Sequence, residues 1–122
     1  MNKEIKVLKE TKDYIVVLKP AGLTVHGGQG ITEETLADWL IEKYPQVKGV
    51  GENDFRPGIM HRLDKEVSGL MVIALNQESY EDLKDQFKDR DIIKRYTAMA
   101  HGELSQNDGT INFPIKRAAR GF

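Results

Sequence analysis

Residues 69–75 read GLMVIAL, seven residues without a charge. A run of this length, rich in branched side chains and bounded by polar residues, is read as a buried strand. It is the central apolar strand of the chain, and the rest has to be arranged around it. The change on its N-terminal side is abrupt. The stretch GIMHRLDKEVS, residues 58–68, places His61, Arg62 and Asp64 within four residues. Carboxylates at strand edges usually serve turns. The alternative is a reactive carboxylate held up by a rigid strand.

Extended chain sends successive side chains to opposite faces. Arg62 and Asp64 therefore share one face, and His61 and Leu63 point the other way, toward packing or a supporting contact. A neighbouring cation favours the charged form of a carboxylate, which suits Asp64 to act as nucleophile or general base.

Other elements follow from period and punctuation. Tyr14–Leu18 (YIVVL) is a second buried strand, with a weaker one over Glu4–Leu8. KPAGLTVHGGQG, residues 19–30, holds Pro20 and four glycines and reads as a long shaped loop. Thr32 is expected to cap a helix with Glu33 and Glu34 in its first turn, a stripe of Leu36, Leu40 and Tyr44, and Pro45 as its end. A loop occupies residues 46–58. A second amphipathic helix covers Gln77 to Lys88, with Tyr80, Leu83 and Phe87 on one face. Ile92–His101 reads as a strand, QNDGT as a turn and Thr110–Ile115 as its hairpin partner. On that strand Lys94 and Tyr96 share a face, Tyr96 being either a core residue or an aromatic that stacks on a base, with Lys94 or Arg95 reaching phosphate. The elements do not alternate strictly, so the expected class is α+β, with a mixed, mainly antiparallel sheet and two packed helices.

The 122 residues suffice for one domain, and their 39% hydrophobic and 30% charged content is that of a soluble globular chain. No apolar run approaches the ~18 residues of a membrane helix. The absence of cysteine removes disulfides and thiolate chemistry and fits a reducing cytoplasm. Net charge is −1, so the chain is no polycation. The charges are uneven, however. Residues 31–44 are acidic, whereas Lys88, Arg90, Lys94, Arg95, Lys116, Arg117 and Arg120 make the second half locally basic. A basic face is suited to phosphate.

Three familiar chemistries do not fit residues 58–69. A kinase catalytic loop, H-R-D-x-x-x-x-N, would lack Leu63 and have Asn where Gly69 stands. A hydrolase elbow, G-x-S-x-G, fails at Glu66, two residues before Ser68. His26, His61 and His101 lack the paired spacing of a zinc site.

KPAGLTVHGG, RPGIMHRLDKEVSGLMVIA and IIKRYTAMAHGEL, in that order, resemble successive signature segments of the RluA-type pseudouridine synthases. The resemblance extends from about Tyr14 onward. Its HRLD-x-x-x-SGL part is highly specific. A related branch, the RsuA type, carries glycine where this chain has His61. Val67 stands where the family usually has threonine, which keeps the shape and loses a hydroxyl.

The resemblance implies the pseudouridine synthase catalytic-domain fold and an isomerisation of uridine in RNA, in large-subunit ribosomal RNA or in transfer RNA. It implies that Asp64 is the catalytic aspartate, that Arg62 fills the gap of a flipped nucleotide and that Tyr96 stands by the uracil. His61, Lys94 and Arg95 would be RNA contacts. No cofactor or metal is expected, since the reaction exchanges a C–N for a C–C bond. Nothing after His101 matches the family's later motif, which supplies a basic partner for the aspartate. Residues 1–122 are therefore expected to be the N-terminal part of a catalytic domain, without an N-terminal RNA-binding domain. Such a piece would be inactive and prone to self-association through a truncated sheet edge. A non-catalytic RNA-binding module is the alternative.

Overall fold

The computed structural model describes residues 4–28 and 30–116. Three strands, β1 (Lys6–Glu10), β2 (Tyr14–Lys19) and β3 (Gly69–Ala74), form one sheet in the order β1-β2-β3. Both pairings are antiparallel. Two helices, α1 (Leu36–Lys43) and α2 (Gln77–Lys88), complete the expected α+β class.

The β1–β2 hairpin closes on Thr11, whose hydroxyl accepts from the Tyr14 N–H at 3.0 Å and donates to the Tyr14 carbonyl at 2.9 Å. Between Val7 and Lys9 the register slips, so Val7 faces Val17 while Lys9 faces Val16. Such a bulge sharpens the local twist. The β2–β3 ladder is regular from Tyr14↔Ala74 to Lys19↔Gly69. Its alternation buries Ile15, Val17, Met71 and Ile73 on one face, against Leu36 and Leu40 of α1, Val47 and Ile59.

The first helix starts later than its sequence suggests. Thr35, not Thr32, is the N-cap, and it forms a reciprocal capping box with Asp38. That arrangement satisfies both partners' main-chain N–H groups, which Thr32 with Glu33 and Glu34 does not offer. The next two orphan donors are met by the glycine-rich loop. The N–H groups of Leu36 and Ala37 donate to the carbonyls of Thr24 and Val25, each at 2.9 Å. Glu33 is taken instead by Thr24 and Lys65. Pro45 does end the helix, opening a short 3-10 turn over Pro45–Val47.

The second helix has the expected bounds. Asn76 caps it by accepting the Ser79 N–H at 2.9 Å. Its buried Tyr80 packs with Val50 and Ala74 in a small cluster at the end of β3.

The expected hairpin of Ile92–His101 with Thr110–Ile115 is not formed. Residues 92–116 hold no strand, and Ile93, Met99, Ile111, Phe113 and Ile115 are exposed. β-propensity is realised only against a partner strand and a covered face, and a two-stranded hairpin is marginal by itself. Here the outer edge of β3 is already occupied by residues 58–61.

Candidate active site

The segment Gly58–Asp64 runs irregularly beside β3 and is fastened at both ends. At its start, the Ala74 N–H of β3 donates to the Gly58 carbonyl at 2.9 Å. Gly58 can lie this close because it has no side chain. A Cβ there would stand 2.3 Å from the Ala74 carbonyl oxygen, and its φ of 72° is left-handed. Further along, the Val72 N–H donates to Nε2 of His61 at 3.1 Å, and the imidazole stacks on Phe87 of α2 with centroids 4.5 Å apart.

The other fastening is Lys19. Its side chain is fully buried at the end of β2, on the core face shared with Ile15 and Val17. The ammonium donates to the carbonyls of Leu23 at 2.7 Å, Pro20 at 2.9 Å and Lys65 at 3.0 Å. The Gly22 N–H also reaches the Lys65 carbonyl, at 2.7 Å. One buried cation thus ties the glycine-rich loop to the residue after Asp64. Burial pushes the Lys19 ammonium below its usual pKa, and the nearby carboxylates of Glu66 and Asp64 act against that shift.

Between these fastenings the alternation predicted for residues 61–64 is observed. Leu63 is buried and His61 half-buried, while Arg62 and Asp64 are exposed. Arg62 and Asp64 line a cleft of about 200 Å³ with Thr24, Val25, His26, Leu63 and Lys65. Among the described residues no ion pair joins Arg62 to Asp64. The Asp64 main chain closes the turn into β3 by accepting the Val67 N–H at 3.0 Å.

Arg62 also lines a second, larger groove of about 920 Å³. Its floor is the outer face of the sheet, with Val16, Leu70 and Val72, and its rim carries His61, Lys94, Arg95 and Tyr96. The Lys94 ammonium lies 5.6 Å from the Phe87 ring centroid. The structure therefore gathers five of the six predicted site residues around one groove and leaves Asp64 in the smaller cleft. Tyr96, two-thirds exposed and not on a strand, does not line the cleft that holds Asp64.

Comparison with known proteins decides what this arrangement belongs to. The family model for RNA pseudouridylate synthase matches residues 13–121. This chain belongs to the RNA pseudouridylate synthase family. It is 38% identical over 114 residues to an uncharacterized RNA pseudouridine synthase, YlyB, of Bacillus subtilis (strain 168), covering 93% of this chain and 37% of that protein. It is 42% identical over 113 residues to ribosomal large subunit pseudouridine synthase D of Buchnera aphidicola subsp. Acyrthosiphon pisum, covering 93% of this chain and 35% of that protein. Human RNA Pseudouridylate Synthase Domain Containing 4 is similar in structure, with a TM-score of 0.53 and 30% identity over 70% of this chain and 30% of that one. The chain spans about a third of the length of the curated relatives it matches.

Lys19, His26 and Phe87 were not singled out as site residues from the sequence. For Lys19 a signal existed: in the strand YIVVLK it continues the core-facing positions of Ile15 and Val17, where an unpaired cation is not tolerated. Phe87 was visible only as part of an apolar helix stripe, and nothing local points from it to His61, 26 residues away.

Proposed function

We propose that this chain is part of an RNA pseudouridine synthase that isomerises uridine in structured RNA, with large-subunit ribosomal RNA the favoured substrate and transfer RNA the second. The observation that carries the reading is the placing of Asp64. It is exposed, shares a cleft with Arg62, and stands on a segment fastened by Lys19 and Gly58 to the core sheet. A carboxylate that must meet one atom of a flipped nucleotide benefits from such a rigid support.

In this reading Asp64 is the catalytic carboxylate. The glycosidic C–N bond breaks, the uracil turns and its C5 bonds to the ribose C1′, with C5 giving up a proton and N1 taking one up, so atoms and electrons balance without an outside reactant. Arg62, bordering both cleft and groove, fills the space left by the flipped nucleotide. Extrusion costs a few kcal/mol, which phosphate and stacking contacts have to offset. Lys94 and Arg95 supply the phosphate contacts, and Tyr96 approaches the uracil when RNA is bound. His61 borders the same groove. The reading takes the cytoplasm as the compartment, where such RNA is met.

The chain is further read as the N-terminal part of a catalytic domain. Its support is the one-third coverage of its relatives together with the open sheet face over Val16, Leu70 and Val72. The test incubates the full-length protein with ribosomal and transfer RNA and maps pseudouridine with and without Asp64→Asn. Conversion that persists in the variant sinks Asp64 as the catalyst. Salt-sensitive RNA binding that survives Asp64→Asn but falls with Lys94 and Arg95 changes, without any conversion, would favour a non-catalytic RNA-binding module.

A further inference from the structure

We infer that His61 is a positioning residue: its neutral imidazole, by accepting the Val72 N–H, latches residues 58–64 to the edge of β3 and sets where Arg62 and Asp64 stand. The significance of that placement rests on the function proposed above; the latch itself does not.

The geometry is that of a strand edge completed by a side chain. Along β3, Ala74 and Val72 lie two residues apart, so their N–H groups leave by the same edge. Ala74 finds a main-chain carbonyl, that of Gly58, at 2.9 Å. Val72 finds the imidazole of His61 at 3.1 Å. A carbonyl in that second position would extend residues 58–61 as a regular fourth strand. A ring acceptor keeps the bond while the main chain leaves the sheet, and Arg62 and Asp64 follow on the departing segment. The ring plane is held from the other side by Phe87 of α2, 4.5 Å away and inclined by 20°.

The bond requires Nε2 to be unprotonated, which places the ring proton on Nδ1. The largest influence on the ring favours that state. Burial disfavours the imidazolium, and Lys94 adds a like charge. The other titratable groups on the groove are Arg62, Arg95 and Tyr96, and none of the groove's described residues is a carboxylate. Below the imidazole's lowered pKa a second ring proton would face the Val72 N–H, and the latch would open.

The test is made on this chain by NMR, with amide exchange corrected for the intrinsic effect of pH. In the unaltered chain the protection factor of the Val72 amide should fall about fivefold as His61 protonates, the loss of one ordinary hydrogen bond. The Arg62 and Asp64 resonances should shift along the same titration curve. His61→Gln, whose side-chain oxygen can take the place of Nε2, should keep Val72 protected and make both readouts independent of pH. His61→Phe keeps the stacking but has no acceptor, so it should show the open state at every pH. Val72 protection that ignores the His61 titration in the unaltered chain overturns the latch, whether or not the variants fold. So do Asp64 resonances that stay still while Val72 loosens. Conversion of uridine in RNA is followed separately. A pH-coupled latch together with a full-length protein that converts no uridine at any pH overturns the proposed function and leaves the latch standing.

Discussion

The Lys19 ammonium donates to the main-chain carbonyl of Lys65 at 3.0 Å, joining residues 46 positions apart. Through that bond the last residue of β2 holds the segment that carries Asp64. Lys19→Met keeps most of the apolar volume but leaves the carbonyls of Pro20 and Leu23 without this donor. Removing one partner of a buried bond costs more than the bond was worth, because the other stays polar. The gain from no longer burying a charge offsets part of this. Urea unfolding should show a net loss of about 2–4 kcal/mol. A loss within experimental error would mean that the clamp contributes nothing.

Gly58→Ala should be among the most damaging single-methyl additions in this chain. The new Cβ would meet the Ala74 carbonyl oxygen at 2.3 Å, and φ is already 72°. Left-handed backbone alone costs about 1–3 kcal/mol for a residue with a side chain. The clash with main chain adds to it, so a loss above about 3 kcal/mol or failure to fold is expected. Gly27→Ala is the control, since nothing lies within 4 Å of its Cβ position. It should change stability by no more than about 0.5 kcal/mol. Equal effects at both positions would contradict the close approach of Gly58 to β3.

Stability should depend on the protonation of His61, with a definite sign. Its pKa in the fold lies below the ordinary 6.5, chiefly through burial. The unfolded chain therefore binds the proton first as pH falls. The contribution is fully present above 6.5, is lost as pH drops from there toward the lowered value, and levels off below it. His61→Gln should flatten this part of the profile. A chain whose stability rises as pH falls through this window would contradict the assignment.

Asp64→Asn separates chemistry from folding. The Asp64 side chain is exposed and makes no ion pair among the described residues, so stability should move by less than about 0.5 kcal/mol. In an active synthase, uridine conversion should fall at least about a thousandfold. A residual rate within tenfold of the unaltered protein, about 1.4 kcal/mol in barrier, would assign the chemistry to another group.

Self-association should run through apolar side chains rather than through a strand edge. The free edge of the sheet is β1, whose Lys6 and Lys9 discourage strand pairing. Besides Val7 and Leu8 of β1 itself, the exposed large apolar side chains lie off that edge, among them Leu70 on the outer sheet face and Ile93, Met99, Phe113 and Ile115. Light scattering should show mass rising with concentration, and Leu70→Ser with Ile93→Ser should reduce it. A strictly monomeric chain at high concentration would remove this prediction.

Local sequence by itself determined the features that depend on period and caps. The 61–64 alternation, the bounds of α2 and the buried strands β2 and β3 are short-range properties of extended chain and of one helical turn. The ordered motifs determined the family, since the specific HRLD-x-x-x-SGL segment with two companion segments in order leaves few alternatives. Tertiary structure decided the rest. Thr32 is the cap that local sequence favours, and the structure chose Thr35 because Asp38 completes its capping box and the loop carbonyls of Thr24 and Val25 take the next two N–H groups. Residues 92–116 carry strand propensity, yet they remain unpaired because a strand exists only with a partner, and the edge of β3 is taken by Gly58 and His61. Lys19 and Asp64 are 45 residues apart, and only the closing of β2 against β3 puts a buried cation beneath the segment that carries the carboxylate.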